Sequence, residues 1–462
     1  PVLLALAAGL ALRLWMLRKL FFVDGDSLVY GDIAKNLLLH GRYALTGGGG
    51  QPIPTLIRLP GYPLFLALCF KIFGIENYFA VACVQIVVDL LSCLLIAAFV
   101  WRVVPSHRRV AALAALWVAA LCPFTASYTI APLAESLTIF MLALAMWAMA
   151  RLDEDLRAGS PRWVNALSFT FAVTAAALLR PDGLLAAVAF SLGLGWSVWR
   201  SEIGPRKLVR MGVVCALLSL APFTAWTWRN WRDFHVFEPL APRLANDPGE
   251  RTNPGWERWV KSWCLDYNST YEIYWNVPGD RLDLNALPAR AFDSPAEYAA
   301  TAKLAEDYNT HGMEITPEID AGFARLADER IAAHPLRYNL WLPLGRLADM
   351  GLRPRIENLP IDLDWWVYAH HHRETEFSWA YAALNAVYLL LALVGLCMRP
   401  RFWGALLAYM LLRCALLLTV VAPETRYTIE CFPMLFVLGG VALARMARRS
   451  YFSNLKAAFG KG

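Results

Sequence analysis

The sequence predicts an all-α polytopic membrane protein with about ten transmembrane helices, outer-face juxtamembrane helices and a mostly helical outer loop domain. Three observations carry this fold class. The 462 residues are 58% hydrophobic and only 17% charged, below the roughly 25% charged share of soluble domains. Several apolar runs approach or exceed the ~20 residues that a bilayer-crossing helix needs. Basic residues also concentrate in alternate loops, the mark of a fixed orientation in a membrane.

In chain order, spans are expected near 1–22, 79–101, 110–124, 135–152, 163–179, 184–199, 211–228, 377–398, 402–421 and 430–446. GYPLFLALCFKIFG, residues 61–74, is shorter. As a helix it reaches ~21 Å, against a hydrocarbon core of ~30 Å. Pro60 and Pro63 open it, and Gly74, Glu76 and Asn77 close it. It reads as a re-entrant or interfacial helix.

Charge tests that reading. With 61–74 outside the count and the N-terminus cytoplasmic, the inner loops carry Arg102, Arg108 and Arg109, then Arg151, Arg157 and Arg162. Next come Arg200, Arg206, Lys207 and Arg210, then Arg399 and Arg401, and finally Arg445, Arg448, Arg449, Lys456 and Lys461. The short outer connections carry only Arg180 and Arg426. Asp24, Asp26 and the long 229–376 segment then share the outer face. Counting 61–74 as a span would move Asp24 and Asp26 to the cytoplasm.

The chain thus divides into an N-terminal transmembrane module, 1–228, with a first outer loop at 23–78. A loop domain follows at 229–376, expected in the periplasm, and then C-terminal helices and a basic cytoplasmic tail at 377–462. The net charge of +6 marks inner loops and calls for no nucleic-acid partner. Eight of the nine cysteines lie in or beside apolar runs, and Cys264 has no neighbour to pair with, so no disulfide scaffold is expected. The chain opens on Pro1, so a natural N-terminus upstream is expected. Residues 2–17 lack the small-residue cleavage site of a removed signal peptide.

In the outer region, WERWVKSWCLDYNSTYEIYW (256–275) spaces Trp256, Trp259, Trp263, Tyr267, Tyr271 and Tyr274 for one helix face. That face fits sugar stacking, an ordinary core or a membrane-resting surface. Asn268-Ser-Thr has the N-glycosylation pattern, relevant only in a eukaryotic secretory pathway. Residues 318–350 predict amphipathic helices broken at Pro335, with Trp341 at the interface.

FFVDGDSLVYGDIAKNLLLHGRYAL, residues 21–45, places Asp24, Asp26 and Asp32 around an amphipathic helix. By spacing alone Asp26 is an N-cap. Other polar groups recur at the same outer edge: Glu135 in IAPLAESLTIF, Arg180 in LLRPDG, Arg58 in IRLPGYP, and Arg426 with Tyr427 in PETRYTIECFP. A single arginine there would snorkel to water. Acids and arginines together form a set able to hold an anion beside a base.

DGDSLVYGDIAKNLLLHGRYAL followed by RLPGYPLFLALCFKIFG resembles the first outer loop of GT-C glycosyltransferases. The branch is that of protein O-mannosyltransferases and lipid A aminoarabinose transferases. APLAESLTIF, LLRPDGLL and PETRYTIECFPMLF resemble its later outer-edge motifs. The resemblance covers roughly 1–200 and 377–446. It implies Asp26 as the catalytic acid–base residue, with Asp24 as an understudy and Glu135 as an acid facing the same cavity. Ser27 stands where the family often has a second acid. Arg58 falls where a basic residue meets the carrier phosphate, and Arg180, Arg426 and Tyr427 complete the donor-phosphate site.

The donor implied is a sugar on a polyprenyl phosphate, transferred to a glycan, lipid or protein hydroxyl on the periplasmic face of a bacterial inner membrane. Asp26 would take a proton from the acceptor, the arginines would stabilise the leaving phosphate, and displacement would invert the anomeric centre. Membrane lipids surround the spans. No cofactor is required; a divalent cation is compatible with the chemistry and not predicted. YAHHHRETE offers His370, His371 and His372, but consecutive residues rarely converge on one ion and no acid–His spacing accompanies them.

Two rivals remain. A lipid-linked glycan transporter would show ionisable pairs near mid-membrane and repeated halves, whereas these charges cluster at the outer edge and no repeat appears. An O-antigen ligase or polymerase would share the donor and rely on loop arginines and a histidine.

Overall fold

The computed structural model describes residues 1–242 and 244–459, with side chains to residue 447. Of the expected basic tail, Lys461 and the side chains of Arg448, Arg449 and Lys456 lie outside the described residues. α1 (Val2–Leu20) leads to α2 (Asp26–His40), β1 (Ala44–Thr46), β2 (Pro52–Pro54) and α3 (Gly61–Phe73). The helical body continues through α4 (Tyr78–Val103), α5 (Arg108–Ala120), α6 (Pro123–Ile130), α7 (Glu135–Arg157), α8 (Trp163–Leu179), α9 (Leu184–Trp199) and α10 (Pro205–Phe234). The outer region holds α11 (Pro254–Lys261), α12 (Tyr267–Ser269), α13 (Pro295–Thr310), α14 (Pro317–Ala333) and α15 (Leu342–Leu352). α16 (His372–Cys397), α17 (Trp403–Leu417) and α18 (Phe432–Phe459) return to the body.

Among the described residues, six helices are long and apolar enough to cross a membrane, or seven if α5 and α6, bent by 49°, form one span. Each of the ten expected spans coincides with a helix or, for 110–124, with the bent pair; α1, α8 and α17 fall outside this measure. α1 carries Arg13, Arg18 and Lys19 along its 19 residues. α8 and α17 have 17 and 15 residues, giving ~26 and ~22 Å against a ~30 Å core. α3 has 13 residues and is too short to span, as expected.

Small residues let the body close. Ala111, Ala115 and Ala119 are buried at four-residue spacing on α5, and Gly440 of α18 meets Ala115. A Cβ at Gly395 of α16 would fall inside the Leu438 carbonyl. Backbones approach where side chains shrink.

One charged pair lies inside this body. Arg13 of α1 donates from Nε to Asp89 Oδ2 at 2.7 Å, and from Nη1 to Gly9 O at 2.9 Å and Ala120 O at 2.7 Å. Both side chains are buried. The expectation that charge clusters only at the outer edge is therefore corrected. The pair closes on helix backbone and clamps α1, α4 and α5 together.

Residues 23–78 form a compact platform. β1 and β2 pair antiparallel with Leu45 opposite Ile53, and Gly47–Gly50 makes the turn. Asp32 accepts the Thr46 N–H at 2.6 Å and hydroxyl at 2.7 Å, pinning the hairpin to α2.

In the outer region, Trp256, Trp259 and Trp263 are buried against Ile319 and Phe323 of α14. Asp320 caps α11 by accepting the Gly255 and Trp256 N–H groups at 3.1 and 2.9 Å. The single aromatic face expected over 256–275 is broken. α11 stops at Lys261, and Asp266 starts a new turn by accepting the Ser269 N–H at 2.9 Å. The tryptophans are core, whereas Tyr271 is 47% exposed. The break at Pro335 stands between α14 and α15. Thr270 Oγ1 donates to Pro423 O at 2.9 Å, and Arg355 Nη1 to Thr425 O at 3.0 Å. The outer region thereby grips the loop that carries Arg426.

Candidate active site

Asp26 is not an N-cap. Gly25, at φ +51°, takes that position, and no side chain caps α2. A left-handed glycine turns the chain so that Asp26 becomes the first helical residue. Its carboxylate accepts Arg58 Nη2 at 2.6 Å and Arg426 Nη1 at 2.8 Å. Arg58 is set by its backbone carbonyl, which receives the Tyr43 hydroxyl at 2.9 Å, and its guanidinium lies 5.7 Å from the Tyr30 ring centroid. Burial alone would raise the Asp26 carboxyl, but Arg426 and Arg58 outweigh it and hold the group well below the usual carboxylate range. Burial pushes the Tyr30 phenol up to about 12, so it stays protonated.

Behind this trio lies a second, enclosed network. Arg180, at the end of α8, donates to Glu135 at 2.8 Å; its Nε is 3.0 Å from Glu430 and 3.4 Å from Asp182. Arg413 of α17 reaches Asp182 at 2.9 Å and also pairs with Glu430. Its Nε donates to the Tyr427 carbonyl at 2.7 Å. Glu424 accepts the Tyr427 hydroxyl and pairs with Arg426.

The two layers differ in access. Side chains of Asp26, Arg58 and Arg426 are 21–25% exposed, whereas Glu135, Arg413 and Glu430 are 2%, 1% and 0%. The outer trio can meet a ligand. The inner network is less accessible, with Arg180 and Asp182 intermediate at 17% and 13%.

Of the residues singled out in the sequence, Asp26, Glu135, Arg58, Arg180, Arg426 and Tyr427 converge here. Asp24 does not: it is exposed, and its carboxylate accepts the Gly25 N–H at 2.7 Å. Asp182, Arg413, Glu424, Glu430 and Tyr30 were missed. Arg413 had a readable signal, a cation inside the apolar run LLRCALLL. Glu430 stands four residues after Arg426, and Asp182 two after Arg180.

His371 has partners that its local spacing hides. It lies 3.1 Å from Asp364, 3.6 Å from Asp362 and 3.5 Å from Glu374. The expectation of a histidine without acids is corrected: the turn at 362–371 folds the acids back. Donor atoms of Asp362, Asp364 and His371 fall within 4.8 Å of one another, a nitrogen–oxygen set chemically able to hold a divalent cation.

Residues 54–226 match the family model described as dolichyl-phosphate-mannose-protein mannosyltransferase. An oligosaccharyltransferase from Archaeoglobus fulgidus, solved with a tethered acceptor peptide, superposes with a TM-score of 0.52 at 12% identity. It covers 100% of this chain and 50% of its own. The fold is that of this archaeal membrane enzyme. A second structure, AglB from the same organism with an inhibitory peptide and a dolichol-phosphate, gives 0.49 at 13% identity, covering 99% and 51%. ArnT from Cupriavidus metallidurans bound to undecaprenyl phosphate gives 0.40 at 14% identity, covering 99% and 79%. The chain spans about half the length of the archaeal structures. No curated protein sequence matches it.

Proposed function

We propose that this multipass membrane protein is a glycosyltransferase. It moves a sugar from a polyprenyl-phosphate donor to an acceptor nucleophile on the periplasmic face of a bacterial inner membrane. One observation carries the reading: a partly open carboxylate, Asp26, is held between two guanidiniums, Arg58 and Arg426. The match of residues 54–226 to a lipid-phosphate-sugar-dependent family supports it.

A carboxylate bound by two guanidiniums is a poor base. The donor phosphate changes that. As an anion entering the trio it competes with Asp26 for Arg58 and Arg426, which suit oxyanions by their planar, forked donors. Losing those partners raises the affinity of Asp26 for a proton. The base is thus armed by the substrate. Asp26 then takes the proton of the acceptor hydroxyl or amine as that atom bonds the anomeric carbon. The carbon–oxygen bond to the phosphate breaks, and both electrons leave with the lipid phosphate, whose charge the two arginines stabilise. Attack opposite the leaving group inverts the anomeric centre. Glu135 acts through Arg180 as a positioning residue.

Asp26→Asn should lower transfer by ~10²–10⁴. It should also leave affinity for undecaprenyl phosphate unchanged or tighter, because the arginines no longer have a competing anion. Assays with a panel of lipid-linked sugars, read by mass spectrometry, check the first. Titration with the carrier checks the second. Near-normal turnover would sink the assignment.

A further inference from the structure

A cavity of about 480 Å³ lies between α12 and the 353–364 segment, within the ~300–1,000 Å³ range of ligand sites. Two links run from its walls toward the Asp26 site. Glu357, in its wall, accepts the Tyr128 hydroxyl on Oε1 at 2.8 Å. The Tyr128 carbonyl in turn receives the Ser136 hydroxyl at 2.9 Å, next to Glu135. Tyr267, in the opposite wall, feels the charges of Glu424 and Arg426.

The charges in the walls are not equally free. Arg353 is committed: it lies 3.7 Å from Asp349, donates to Asn268 Oδ1 at 3.1 Å and covers the Tyr267 ring at 5.1 Å. Asp362 and Asp364 share His371. Glu357 Oε2, however, is buried without a hydrogen-bond partner, and among the described residues no ion pair reaches Glu357 or Glu272. A buried carboxylate oxygen without donors is costly, so this wall calls for a ligand that donates. Tyr271, half-exposed and 5.6 Å from Trp275 between ring centroids, supplies an aromatic face that receives sugar rings and favours an ammonium.

We infer that this cavity is the acceptor subsite, and that it takes a hydroxyl-rich glycan that is neutral or amine-bearing, not one carrying phosphate or carboxylate. The inference rests on the glycosyltransferase reading. Glu357 orients an acceptor hydroxyl or ammonium through Oε2, while Tyr128 fixes its other oxygen. An anionic acceptor would bring like charge against Glu357 and Glu272.

The test is equilibrium binding to the purified full chain in detergent, with three soluble trisaccharides: a glucosamine trimer, its neutral N-acetylated form and a galacturonate trimer. The cationic and neutral trimers should bind, the anionic one about tenfold more weakly or less. Glu357→Gln should weaken the glucosamine trimer about fivefold or more, and the neutral one less. Tyr271→Ala, at a half-exposed position, should weaken both without touching the fold. Failure of all three to bind, equal binding of the anionic trimer, or binding indifferent to both variants would overturn the inference. Asp26→Asn separates the two readings. If it abolishes transfer while the trimers fail to bind, the enzyme stands without this subsite. If trimers bind as expected while it transfers normally, the pocket stands without the proposed chemistry.

Discussion

At the scale of single residues, burial separates chemistry from support. Asp26, Arg58 and Arg426 are open enough to exchange partners, whereas Arg413 and Glu430 are sealed. Removing one member of a sealed network leaves a charge uncompensated, at a cost of about 3–5 kcal/mol. Arg413→Met should therefore lower the melting temperature strongly. Arg58→Ala should chiefly weaken carrier binding; a variant with unchanged carrier affinity would remove Arg58 from the donor site. The sign for Asp26 follows from its partners. Its folded pKa lies below the unfolded value, so its contribution to stability is present above pH ~4 and lost as pH falls further.

At the scale of elements, α15 supplies a pH-sensitive support. Burial raises the Asp349 carboxyl to about 6, while Arg353 opposes it. Asp349 also accepts the Tyr267 N–H at 3.2 Å. A raised carboxyl pKa favours the protonated folded form, so this contribution is full below pH ~4 and declines as pH rises through ~6. Thermal melts between pH 4 and 7 should fall with pH by an amount on the order of 1–3 kcal/mol, and Asp349→Asn should flatten that trend. Elsewhere the helices depend on close approach. Gly395→Leu should separate α16 from α18, read as loss of a monodisperse detergent-solubilised peak. The tryptophan helix α11 was legible as amphipathic, but its end at Lys261 was not. The capping bond from Asp266 competes locally with helix continuation, and three- and four-residue spacing does not register that competition.

At the scale of the whole molecule, charge divides the protein into two ends. Arg102 lies 3.7 Å from Glu154, Arg401 pairs with Asp153, and the Arg401 N–H reaches Val103 O at 3.4 Å. These basic loops gather at the end of α4 and α7 opposite the Asp26 trio. Cysteines introduced at Gly49 and Glu306 in a cysteine-free background should react with an impermeant thiol reagent from one side of the membrane. One at Ser106 should react from the other. Labelling of all three from the same side would overturn the assigned orientation.

Local chemistry determined much of this from the sequence alone. Apolar runs called for membrane helices because hydrocarbon tolerates no unpaired backbone. Arginine bias set apart two groups of loops, and Asp26, Arg58, Glu135, Arg180 and Arg426 stood out because charge at a membrane edge is costly. Only the tertiary structure decided which charge met which. Asp26 and Arg426 are 400 positions apart, and nothing in either neighbourhood specifies their contact. Packing excluded Asp24, enclosed Glu135, brought Arg13 onto Asp89 and left one oxygen of Glu357 without a donor. Pairing between distant segments depends on how helices pack, and that is a property of the folded chain as a whole.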